Sequence, residues 1–99
     1  MVVNLRPIQA FPAVMRLHLA RQAAVESELA MLDRRGPTSL RFSEWNTGLS
    51  PAHTARLDTL AAVEAPVLQG RVRTEARALL RTLLALLLCT VPAEVVAEV

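Results

Sequence analysis

Between Pro66 and Thr90 the chain reads PVLQGRVRTEARALLRTLLALLLCT, and its apolar residues recur every three or four positions. On a helical wheel Leu68, Val72, Ala76, Leu79, Leu80, Leu83, Leu84, Leu86 and Leu87 fall within an arc of roughly 160°, with Arg71, Thr74, Glu75, Arg77, Arg81 and Thr82 opposite. That phase, kept for about five turns, predicts an amphipathic helix and not a strand. Gly70 weakens a helix by roughly 1 kcal/mol relative to Ala, so the turn after Pro66 is expected to fray or to form a separate segment. Toward the other end Leu86, Leu87, Leu88, Cys89 and Val91 widen the apolar arc beyond what one neighbouring helix covers. Burial on several sides is expected there, with Cys89 as a small enclosed thiol.

From Pro12 to Arg35 the chain predicts a second helix, opening with proline near its first position and stopping at Gly36-Pro37. Val14, Leu17, Val25, Leu29 and Leu32 point one way, while Leu19, Ala23, Ala30 and Met31 spread around the rest, so contact on more than one side is expected. Residues 38–45 break this pattern: Leu40 and Phe42 alternate with Ser39, Arg41 and Ser43, as in a half-buried strand. Together with residues 2–5 they would make a minor two-stranded β patch, or else a loop anchored by Phe42 and Trp45. Ser50 and Pro51 have the chemistry of an N-cap and a first helical residue, predicting a third helix over 51–64. Pro66 disfavours helical geometry at Ala65 and ends it. Residues 93–99 form a short apolar-acidic tail.

The 99 residues suit one helical domain spanning 1–99, mainly α, a small three-helix bundle around the long Leu-rich C-terminal helix. Apolar residues make up 53% of the chain, and only Phe11, Phe42 and Trp45 are aromatic. A fold this small does not shelter so much apolar surface alone, so a homo-oligomer or a place in a larger complex is expected. The surplus falls on Leu79, Leu80, Leu83, Leu84, Leu87, Leu88 and Val91, which are the candidate interface.

All the formal positive charge comes from eleven Arg, with no Lys, no Tyr and one Ile, a bias that follows from GC-rich coding and points to a high-GC bacterium, its phage or a GC-rich virus. A net charge of +2 is too modest to imply a polyanion partner by itself. Arg71, Arg73, Arg77 and Arg81 nevertheless share one helix and are the candidate nucleic-acid contact, with Arg34, Arg35 and Arg41 as a second cluster. Glu75 and Asp33 lie among them and compete for the same guanidinium groups.

His18, His53 and Cys89 are the soft ligands, too far apart in sequence to pair locally, and no metal, cofactor or small-molecule substrate is expected. A Cys89, His53 and Asp58 nucleophilic set lacks anything to favour the thiolate, and the three glycines are isolated punctuation, not a phosphate loop. The turn Trp45-Asn46-Thr47-Gly48 resembles the Trp-x-Gly turn of small secreted helical hairpins, but it is one residue longer, and no membership is assigned on it. Residues 1–25 hold Arg6, Arg16 and Arg21 and no acid, as transit peptides do, but also no Ser or Thr, against that reading. The longest apolar run, Leu83 to Cys89, is far below the roughly 20 residues of a membrane span. A lone cysteine suits a reducing compartment, the cytoplasm or the interior of a virus or phage particle. The expected role is a non-enzymatic assembly subunit, and the alternative is a small nucleic-acid-binding regulator using the Arg-lined face.

Overall fold

A computed structural model of the chain describes residues 5–45 and 47–90, with side chains from residue 12 onward. It is a small, mainly helical bundle. Three α-helices, α1 (Leu5–Ala30), α2 (Pro51–Ala61) and α3 (Gly70–Cys89), are joined by turns and one short 3₁₀ turn at Phe42–Glu44. Helix α3 joins the other two: it packs against both α1 and α2, while α1 and α2 do not pack on each other.

The apolar phase of α3 explains that position. Ala76, Leu80, Leu83 and Leu87, spaced four, three and four apart, are its buried residues and form one wall of the core. Val25 and Leu32 of the first segment, Phe42, and Leu57, Leu60 and Ala61 of α2 fill the other walls. Each fully buried Leu or Phe contributes about 1.5–3 kcal/mol by leaving water, so the eight such residues supply the main stabilising term. Helix α1 runs antiparallel to α3. Gln22 Nε2 donates to the Leu87 carbonyl at 3.0 Å near one end, and Asp33 meets Arg73 and Arg77 near the other.

Several boundaries differ from the sequence expectation. Helix α1 begins at Leu5, seven residues before Pro12, which lies inside it. Pro7 sits in the first turn, where its missing N–H has no partner to lose, and good helix formers around it carry the helix to Pro12. The long helix starts at Gly70 and not at Pro66: residues Ala65–Leu68 form a tight turn, and Gly70 has φ +55°, a conformation an L side chain resists. Leu68 is buried all the same, placed by that turn.

The expected β patch is absent among the described residues. Residues 2–4 lie outside them, Leu5 belongs to α1, and 38–45 is extended backbone leading into the 3₁₀ turn. The loop is anchored as Phe42 and Trp45 allow: Phe42 is fully buried, and the two rings meet edge to face with centroids 4.9 Å apart. Arg21 of α1 stacks over the Trp45 ring at 5.4 Å. Asp58 closes the turn from α2, its carboxylate accepting from Phe42 N, Ser43 N and Ser43 Oγ. Asp58→Ala leaves these donors without their partner and is expected to lower stability by about 1–2 kcal/mol, the range of a lost cap. Urea unfolding followed by circular dichroism checks it, and an unchanged midpoint would remove Asp58 from the account of this loop.

Helix α2 begins as its sequence predicts. Ser50 Oγ accepts from His53 N at 3.1 Å, and Pro51 occupies the first position. It ends at Ala61, three residues short of expectation, because its last carbonyls are taken by Arg35. Arg35 Nη1 donates to Ala61 O at 3.0 Å and Val63 O at 3.4 Å, and Nη2 donates to Leu60 O at 3.0 Å. The same residue's carbonyl accepts from Ala65 N, and Thr38 N donates to Ala61 O. A cation on helix C-terminal carbonyls also faces the negative end of the macrodipole.

Arg35 is itself buried, with its Nε 3.2 Å from Glu28 Oε2, an ion pair without hydrogen-bond alignment. Burial holds the Glu28 carboxyl above the ordinary glutamate range, and the Arg35 charge only partly offsets this. Between that range and the raised value the folded chain therefore binds more protons than the unfolded chain, so Glu28 favours folding at the acidic side and loses that contribution as pH rises. The unfolding free energy of the native chain, taken relative to Glu28→Gln, is expected to increase on acidification from neutrality. A difference that stays constant or shrinks on acidification would contradict the assignment.

Candidate interaction surface

The leucines singled out in the sequence separate into three environments. Leu80, Leu83 and Leu87 are enclosed between the helices of this one chain and have no area to offer a second molecule. This corrects their place in the candidate interface. They share the inner side of α3 with Ala76, the side that both flanking helices cover. Leu79 and Leu84 sit at the margins, half-buried against the core. Leu88 is 58% exposed. One turn separates it from Leu84, so the two form an apolar edge at the C-terminal end of α3. Val91 lies outside the described residues.

Cys89 is exposed, against the expectation of an enclosed thiol. At roughly 100° per residue it falls almost opposite Leu80, on the solvent side of α3. The widening arc of Leu88 and Cys89 is therefore real as a pattern, but no element among the described residues covers it. His18 is buried in α1, while His53 is exposed at the start of α2 with its Nδ1 2.9 Å from Ser50 Oγ. Among the described residues no His, Cys, Asp and Glu side chains gather in the manner of metal ligands.

The four arginines of α3 also divide. Arg73 is turned toward the segments that follow α1 and α2: its Nη2 donates to Ala65 O at 2.8 Å, and its Nε lies 3.3 Å from Asp33 Oδ1. Arg77 Nη2 lies 3.6 Å from the same carboxylate oxygen. Glu75, expected to pair within the helix, reaches across to Arg56 of α2 at 2.7 Å. Arg71 and Arg81 remain exposed with no acidic partner among the described residues. In the second cluster Arg35 is the buried tie already described, Arg34 is exposed, and Arg41 approaches Asp58 at 4.0 Å. Of the four α3 arginines, Arg71 and Arg81 are thus without an acidic partner among the described residues, while Arg73 and Arg77 share one carboxylate.

Sequence reading missed the role of Arg35. An arginine before Gly36-Pro37 looks like a helix-terminal cation, and nothing local tells that the chain returns to place α2's carbonyls against it. The exposed side of α1 shows the opposite case. Leu19, Ala23, Ala30 and Met31 were expected to meet a neighbour, yet all are exposed, as is Leu17. Contact along α1 is confined to the side carrying His18, Val25 and Leu32, because α2 packs on α3 and never reaches α1.

Among the described residues no helix is long and apolar enough to cross a membrane. Compared with models of known protein families, with curated proteins and with solved structures, the chain matches none.

Proposed function

We propose that the protein is a non-enzymatic interaction subunit, associating with itself or seated in a larger particle such as a phage's, through apolar surface that its own helices leave outside. The observation that carries this reading is Leu88, 58% exposed beside half-buried Leu84, at the end of a helix whose other leucines already fill the core. A leucine in that position leaves more than half of its surface in water, and covering the remainder with a second surface gains about 1–2 kcal/mol.

Leu88→Glu tests the proposal. The variant is expected to keep the native unfolding midpoint measured in dilute solution, within about 0.5 kcal/mol, because the side chain is exposed. Its self-association, followed by sedimentation, is expected to fall by about tenfold or more. Association equal to that of the unaltered chain would remove the α3 edge from the proposal. Nucleic-acid binding through Arg71 and Arg81 is the competing reading. Only that reading predicts affinity for a duplex that drops steeply between low and moderate salt, whereas association through apolar groups holds or strengthens.

A further inference from the structure

The uncovered side of α1 carries a pattern that the fold of one copy does not use. Pro12, Arg16, Leu19, Ala23, Glu26 and Ala30 are all exposed. Their spacing of four, three, four, three and four is the a/d alternation of a helix seam, and it keeps all six within an arc of about 80°. This arc lies away from the buried stripe of His18, Val25 and Leu32. Leu19, 54% exposed, is the one large apolar residue on it. Arg16 and Glu26 have no ion-pair partner among the described residues.

We infer that this seam takes a second copy of the same chain, α1 against α1, antiparallel about a two-fold axis near residue 21. A two-fold interface must complement itself, since each residue i that meets j on the partner is answered by j meeting i. With the axis there, residues whose numbers sum to 42 face each other. Leu19 of one copy then lies over Ala23 of the other, large against small, and Pro12 lies over Ala30. Arg16 meets Glu26, and symmetry makes this pair twice. A parallel pairing in register would instead set Arg16 against Arg16 and Glu26 against Glu26, so the charges select the antiparallel form. Shifting the register by one heptad in either direction removes the charge match, setting Arg16 against Leu19 in one case and Glu26 against Ala23 in the other. Alanines at 23 and 30 let the two backbones approach closely, which a bulkier pair would prevent.

This seam is separate from the α3 edge at Leu88, so either surface can fail without the other. It is short, at the small end of protein interfaces, and the test therefore uses a concentration series. Arg16→Glu and Glu26→Arg are made separately, and circular dichroism is used to verify that each folds as the parent does, the expected result at exposed sites. Sedimentation equilibrium is run on each variant alone and on their equimolar mixture. Each variant alone places like charges together twice and is expected to associate roughly 10- to 30-fold more weakly than the unaltered chain. The mixture restores both opposite-charge pairs, so a heterodimer about as tight as the parent dimer is expected. Single variants that associate like the parent, or a mixture no tighter than its components, would overturn the seam while leaving association through Leu88 standing. An unaltered chain that stays monomeric throughout would overturn the seam and the pairing of copies through Leu88 together.

Discussion

Replacing Arg35 by alanine is expected to lower the stability of the chain by about 3–5 kcal/mol, the range found when one partner of a buried, hydrogen-bonded charge is removed. The carbonyls of Leu60 and Ala61 at the end of α2, and that of Val63 just beyond it, each lose the guanidinium donor. Glu28 is left partly buried without its cation. A domain of this size has a total stability of only about 5–15 kcal/mol, so the variant is expected to be partly unfolded at ambient temperature. Arg35→Lys separates charge from shape. A lysine keeps the cation near Glu28 but cannot fork across the carbonyls, so its loss should fall between the parent and the alanine variant. Urea unfolding monitored by helical circular dichroism reads both. If Arg35→Ala loses less than about 1 kcal/mol, the guanidinium is not what holds α2 to the α1 connection.

Leu83→Ala is the second large effect, about 2–5 kcal/mol, because the side chain is 0% exposed and its neighbours come from three separate segments that cannot all close on the gap. Leu88→Ala, five residues on, should change the same dilute-solution measurement by no more than about 0.5 kcal/mol. The contrast matters more than either number. Both leucines belong to one run in the sequence, and they differ only in what surrounds them. Equal losses at 83 and 88 would mean that Leu88 is enclosed within one copy, and the outward apolar edge would disappear from the account.

How much of this was legible in advance depended on how local the cause was. The α3 periodicity and the Ser50 and Pro51 start of α2 depend on neighbours within a turn, and each stands close to where the sequence places it, whereas α1 ends at Ala30, five residues before the end expected at Gly36-Pro37. The strand expected at 38–45 failed because alternation of Leu40 and Phe42 describes only one buried face. Asp58, which captures the backbone N–H groups of Phe42 and Ser43, lies on another helix. The pairing of the α3 arginines was out of reach of the sequence for the same reason. Arg73 and Arg77 share a helix with Arg71 and Arg81, but the return of α1 brings Asp33 beside only the first two. For the leucines the total was readable and the partition was not. Which of Leu80, Leu83, Leu84, Leu87 and Leu88 end up inside follows from the two flanking helices, whose positions no wheel of α3 alone reveals.

The central claim is that apolar surface left outside this fold is covered by a second molecule, in the first instance another copy. Multi-angle light scattering behind a size-exclusion column, run on the unaltered chain across a wide concentration range, measures it most directly. The account predicts a mass that climbs from 10.8 kDa toward a multiple of it as concentration rises. A mass fixed at the single-chain value at every concentration, with the protein fully soluble, would contradict it.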